Sequence, residues 1–247
     1  MLHSVFILSM GLLLGCSAPE ASFYAAPPGD SVKVSGVNTL ALIGNVNRFE
    51  KEIMAFEMKD YEMGFSKNGQ LFIGSSSIRL WKDCVHYCED NTGINRGFGG
   101  ATIVEINHYF PRIVAKYEPK TVFFYCGEND LAHPKASVDS VFSDFKKFAM
   151  KLHQLSPQTK LVYLSIKNSP SRMQYADKFM QMNQLVKDWG SKDDRFFYVD
   201  FNSPLLNEQG KPDSLLFKKD MLHLNENGYK KWEKVLLPVI QETAKAY

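Results

Sequence analysis

The sequence predicts an α/β protein, a three-layer α/β/α sandwich around a parallel sheet, and two features of its hydrophobic pattern point there. Four short runs, 70–73, 121–126, 160–166 and 195–201, are rich in β-branched and aromatic residues yet lack clean apolar/polar alternation. Strands of that kind are covered on both faces, as in parallel sheets. Between them lie stretches with apolar residues at helical spacing. Strands alternating with helices imply right-handed crossovers and helices on both sides of the sheet.

The elements follow in order. Phe49, Ile53, Phe56 and Tyr61 fall near one face of a helix, and Lys67, Asn68 and Gly69 turn the chain into the first strand. That strand stops at Gly74, and three serines lead into a helix expected from about Ile78. Ile103, Ile106, Phe110, Ile113, Val114 and Tyr117 mark the next helix. Val138, Val141, Phe145, Phe148 and Leu152 mark another, and Phe179, Met182, Val186 and Trp189 a further one. The last carries Tyr229, Trp232, Leu236 and Ile240, with Asn225 as its N-cap. The methionines and aromatics in these stripes read as core, not as cofactor contacts, and there is no internal repeat.

With 247 residues, 45% hydrophobic and 23% charged, the chain suits one domain with a substantial core. Its 29 basic and 27 acidic residues are mixed along the sequence. No continuous basic face is left for a phosphate backbone, so nucleic acid is not an expected partner. Residues 5–14 form an apolar run too short to span a bilayer as a helix, and they fit the core of a signal peptide. Leu13, Leu14, Gly15 and Cys16 are similar to the lipobox of bacterial lipoproteins. The similarity implies a signal peptide at 1–15, acylated Cys16 as a membrane anchor, a Pro- and Ser-containing tether at 16–45 and a folded domain at 46–247. The expected place is the bacterial cell envelope. Since His3 stands where Lys or Arg is usual, a plain cleaved signal and a secreted protein are the alternative. Cys84 and Cys88 can pair only if their segment is not helical. Cys84, His86 and Cys88 lack a second ligand pair at zinc spacing, and Cys126 reads as buried.

Four blocks carry the chemistry: LFIGSSSIRLW at 71–81, NRGFGG at 95–100, GEND at 127–130 and DMLH at 220–223. Singly, they read as a helix N-cap, a glycine loop, a turn and a surface ion pair. In this order they resemble the SGNH, or GDSL-type, hydrolases, and the likeness runs from about Phe49 to the C-terminal helix. The resemblance implies a flavodoxin-like sheet of about five parallel strands. It assigns Ser76 as nucleophile, His223 as its base and Asp220 as the acid that orients the imidazole. It assigns the oxyanion hole to the backbone N–H groups of Ser76 and Gly100 and the side-chain amide of Asn129. No metal or organic cofactor is implied.

The chemistry fits those residue types. A serine hydroxyl needs a base at hydrogen-bond distance, the base needs an orienting acceptor, and the tetrahedral intermediate needs aimed donors. Ser75 stands where many relatives have aspartate, and register from Gly74 selects Ser76 among the three serines. His133 is a second base candidate near the site. The expected activity is a serine esterase acting on carboxylic esters of short acyl or acetyl groups, on carbohydrate or lipid, through an acyl-enzyme on Ser76. Two alternatives use the same fold: a catalytically silent surface lipoprotein serving as a binding module, and an O-acyltransferase with the same residues. Specificity is expected in the loops 81–89, 133–135 and 167–172.

Overall fold

The computed structural model describes residues 46–88 and 93–244. The expected signal peptide at 1–15, Cys16, the 16–45 tether and Glu89 lie outside the described residues. At the centre is a five-stranded parallel sheet: β1 (Gln70–Gly74), β2 (Ile94–Gly97), β3 (Thr121–Tyr125), β4 (Lys160–Leu164) and β5 (Phe196–Val199). Its spatial order is β2-β1-β3-β4-β5. This is the flavodoxin-like doubly wound order, in which the strand order reverses beside β1 and so opens a crevice at the carboxyl ends of β1 and β3.

Burial on both faces explains the uninterrupted apolar runs. Leu71, Ile73, Val122, Phe124, Leu161 and Tyr163 point into one core, packed by helices α1 (Glu50–Met63), α3 (Ile103–Ile113), α4 (Glu128–Leu131), α5 (Val138–Leu155) and α6 (Ala176–Gly190). Their neighbours Phe72, Phe123, Tyr125, Val162 and Leu164 point into the other, packed by α2 (Ser76–Leu80), the 3-10 segment Lys82–Tyr87 and α7 (Glu226–Ala244). Alternation is present in space, but both directions are apolar. Trp232 of α7 stacks on Phe201 with ring centroids 4.4 Å apart and donates its indole N–H to the Phe201 carbonyl at 2.8 Å.

Three local expectations are corrected. The sequence pattern marks no strand at 94–97, because Asn95 and Arg96 interrupt its apolar content. β2 is held as an edge strand through its pairing from Leu71↔Ile94 to Gly74↔Gly97. The helix after β1 begins at Ser76, not near Ile78. In α1, Tyr61 is exposed, and the buried position next to it is Asp60. Asp60 is turned inward because it accepts from Arg96 of β2, from the Tyr117 hydroxyl at 2.5 Å and from Lys116 at 2.6 Å.

Candidate active site

The strand β1 ends against backbone. A Cβ on Gly74 would lie 2.1 Å from the Tyr125 carbonyl oxygen, so only glycine lets β1 hand over to α2 this close to β3. Ser75 donates its N–H to that same oxygen at 3.2 Å and takes the N-cap position. This places Ser76 in the first turn of α2, where backbone N–H groups have no intrahelical acceptor. Ser75 and Ser77 are buried, whereas Ser76 is partly accessible.

His223 reaches Ser76 from the far end of the chain. Its Nε2 lies 2.8 Å from Ser76 Oγ, and its Nδ1 lies 2.6 Å from Asp220 Oδ2. Asp220 Oδ1 also accepts from the backbone N–H of Leu222 at 3.0 Å and of His223 at 2.9 Å. The carboxylate therefore organises the loop as well as the ring. Partial burial alone would raise the Asp220 pKa, but the hydrogen bonds from His223 and the two N–H groups outweigh it and hold the carboxyl well below its ordinary range. The loop is braced at both sides. Lys218 donates its N–H to the His223 carbonyl at 2.7 Å, and Ser171 donates to the Met221 carbonyl at 3.0 Å. Asn225 caps α7 through Gly228 N–H at 3.1 Å, as expected, and its amide donates to the carbonyls of Leu215 and Phe217. Tyr229 of α7 donates its hydroxyl to the Ser77 carbonyl at 2.9 Å, tying the His223 side of the site to the serine helix.

The third part is the loop from Gly99 to Thr102. Gly100 has φ +82, in the left-handed region that favours glycine. Its carbonyl accepts from Arg48 at 3.1 Å. The next carbonyl, of Ala101, accepts from the Asn129 amide at 2.9 Å. Thr102 and Glu105 form a capping box at the start of α3, and Glu105 also pairs with Arg48. The Ile103 N–H donates to Asp130 Oδ1 at 2.9 Å. Consecutive residues of the loop are thus tied down. The pairing of Ser76 with His223 can pass the hydroxyl proton to the imidazole.

All five residues expected at the site fall at these carboxyl ends: Ser76 after β1, Gly100 after β2, Asn129 after β3, and Asp220 with His223 before α7. His133 is exposed, and its Nδ1 accepts from the Lys135 N–H at 3.2 Å. Of the three segments expected to shape specificity, 167–172 bonds directly to the site. In the first, Trp81, Cys84 and Cys88 are core residues instead. Its outer residues Lys82, Val85 and His86 line a cavity of about 850 Å³ with Phe56, Asp60 and Arg96, away from Ser76. Cys84, Cys88 and Cys126 are free buried thiols, and burial raises the pKa of Cys88 to about 12. Among the described residues, no group of three His, Cys, Asp or Glu residues is placed to hold a metal ion.

The supporting residues Arg48, Glu105, Glu128, Lys167 and Arg172 were missed by sequence reasoning. Glu128 lies inside a recognised block, Lys167 and Arg172 bound a segment expected to shape specificity, and Glu105 carries a local sign in its capping box with Thr102, but the partnerships of Arg48 with Glu105, Lys167 with Glu128 and Arg172 with Asn129 span between 39 and 57 positions.

A family model for GDSL-like lipases and acylhydrolases matches residues 76–231. The chain belongs to that family. It is an ester-hydrolysing enzyme of the GDSL-like lipase and acylhydrolase group. Solved structures with the same fold include a candidate platelet activating factor from Streptococcus pneumonia, 20% identical, covering 81% of this chain and 96% of that one with a TM-score of 0.69. A GDSL-like lipase from Bacteroides thetaiotaomicron is 20% identical over 80% and 98% of the two chains, with a TM-score of 0.63. A catalytic mutant of an acetylxylan esterase from Geobacillus stearothermophilus is 12% identical over 72% and 96%, with a TM-score of 0.57. No curated protein matches the sequence significantly.

Proposed function

We propose that this GDSL-family enzyme is a serine esterase that removes short acyl groups, acetyl foremost, from carbohydrate or lipid hydroxyls through an acyl-enzyme on Ser76. The observation that carries the reading is the unbroken chain from Ser76 Oγ to His223 at 2.8 Å and on to Asp220 at 2.6 Å. His223 takes the hydroxyl proton as Ser76 Oγ attacks the ester carbonyl, and Asp220 stabilises the imidazolium. The oxyanion is met by the N–H groups of Ser76 and Gly100 and the Asn129 amide. The C–O bond to the alcohol then breaks, and His223 returns its proton to the departing oxygen. A water deprotonated by His223 attacks the acyl-serine, releasing the acid and restoring the serine. An acetylxylan esterase among the fold relatives supports the choice of acetyl groups.

A fluorophosphonate probe tests the nucleophile: wild type is labelled and Ser76→Ala is not. Labelling of Ser76→Ala, or none of wild type, overturns the assignment. A p-nitrophenyl ester series of increasing chain length, run beside acetylated xylan, tests the acyl preference. The expected rates fall steadily beyond the shortest chains. Added alcohols separate hydrolysis from O-acyl transfer by how the acyl group divides between free acid and new ester: mostly acid from a hydrolase, mostly ester from a transferase. We also propose that the enzyme is anchored to the bacterial envelope by acylated Cys16, a reading supported by the lipobox-like Leu13 to Cys16.

A further inference from the structure

We propose that Arg172 is a positioning residue for ester hydrolysis, acting through Asn129. The inference rests on the assignment of Asn129 to the oxyanion hole. A carboxamide has two nearly equivalent orientations about its last torsion, differing in which of oxygen and nitrogen faces a given neighbour. One presents an N–H to the developing oxyanion. The other presents a lone pair, which turns a stabilising dipole into a repulsive one.

Two contacts select between them. Arg172 Nη2 donates to Asn129 Oδ1 at 3.1 Å, and Asn129 Nδ2 donates to the Ala101 carbonyl at 2.9 Å. A guanidinium has only donors and a carbonyl only accepts. A flipped amide would therefore set donor against donor and acceptor against acceptor at once. Without Arg172, the Ala101 carbonyl alone would oppose the flip.

Arg172 is itself held. Its Nη1 lies 3.5 Å from Glu128 Oε1, and the Glu128 carboxylate is buried. That carboxylate also accepts from Lys167 Nζ at 3.0 and 2.8 Å and from the Tyr125 hydroxyl at 2.9 Å. Lys167 is fully buried, so Glu128 cannot turn away without leaving an uncompensated charge. The neighbouring Ser171 holds the Met221 carbonyl between Asp220 and His223. One short segment thus braces the oxyanion side and the base side of the site together.

The test is a double-mutant cycle on the full-length enzyme with p-nitrophenyl acetate. Arg172→Met is expected to lower kcat by about 10- to 100-fold while KM changes by less than about threefold, because the lost contact acts mainly in the transition state. In an Asn129→Ala background the same substitution should cost less than about threefold, because the amide it orients is gone. Equal losses in both backgrounds, or no loss from Arg172→Met, would overturn the proposal. Arg172→Lys keeps a positive charge toward Glu128 but lacks the fork that reaches both partners. It is expected to keep the wild-type melting temperature, lose kcat and show the same dependence on Asn129. If Arg172→Met does not fold, the lysine variant decides by that criterion. A Ser76→Ala enzyme with the wild-type rate would instead overturn the esterase reading, an outcome separate from the coupling of Arg172 to Asn129.

Discussion

A side-chain amide aimed at an oxyanion contributes little to holding the ester in its ground state, because the charge it stabilises does not yet exist. Asn129→Ala should therefore reduce kcat by about 10² to 10³ with a much smaller change in KM, measured by steady-state hydrolysis of p-nitrophenyl acetate. At the other end of the site, the depressed pKa of Asp220 has a consequence for pH dependence. Hydrogen bonds from His223 and two backbone N–H groups keep its carboxylate ionised well below neutrality. The acid limb of a kcat/KM profile is thus not set by Asp220, and Asp220→Asn should lower the plateau rate sharply. A variant retaining the wild-type plateau would remove Asp220 from the orienting role. Met221 sits between these two residues at φ +54, a left-handed conformation that costs a residue with a Cβ about 1 kcal/mol. The bonds from Ser171 and to Lys218 offset it.

Among helices, α1 is bound to the rest by charge more than by apolar burial, with Ile53 its fully buried apolar side chain. Arg112 forks onto Glu57 at 2.7 Å and onto Glu50 at 2.8 Å, but those groups are only partly buried. The interior contact is Asp60 with Arg96, both about 5% exposed on their side chains. Asp60→Ala would strand the Arg96 guanidinium, at a cost of about 3 to 5 kcal/mol, read as a fall in the urea midpoint at constant slope. At α3, Asp130 accepts the Ile103 N–H from a buried site, where burial raises its pKa to about 7, with Asp144 and Glu105 adding to the rise. An unfolded aspartate titrates near 3.9, so the folded state binds the proton more tightly. Its contribution is fully present below about pH 4 and is lost as pH rises toward 7. Asp130→Asn keeps an acceptor for Ile103 and removes that loss. Its stability relative to wild type should rise between pH 4 and 7, by up to about 4 kcal/mol from three pKa units, as followed by chemical denaturation at each pH.

At the scale of the whole molecule, the proposed anchor predicts partitioning. Protein expressed with its own N-terminus in a bacterial host should enter the detergent phase, and Cys16→Ala should move it to the aqueous phase. A wild-type protein recovered entirely in the aqueous phase would leave the anchor without support. Among the described residues, no helix is long and apolar enough to cross a membrane. The fold itself was legible because β1, β3, β4 and β5 are buried on both faces, so their residues carry the apolar signal without help from partners. β2 was not, because an edge strand with Asn95 and Arg96 gains its structure from pairing with β1 and from the contact of Arg96 with Asp60. The same division applies to the site. Ser76, Gly100, Asn129, Asp220 and His223 could be named from the order of four short blocks, through the family those blocks resemble. The brackets that hold them could not: Arg48 on Gly100, Arg172 on Asn129, Ser171 on Met221 and Tyr229 on Ser77 join segments between 43 and 152 positions apart. By itself the sequence determined the alternation of strand and helix, a local property of side-chain pattern, and the order of its four blocks, through the family they resemble, pointed to the proposed reacting groups. Only the tertiary structure decided which long side chains support those groups, because a hydrogen bond depends on distances of about 3 Å that chain folding alone creates.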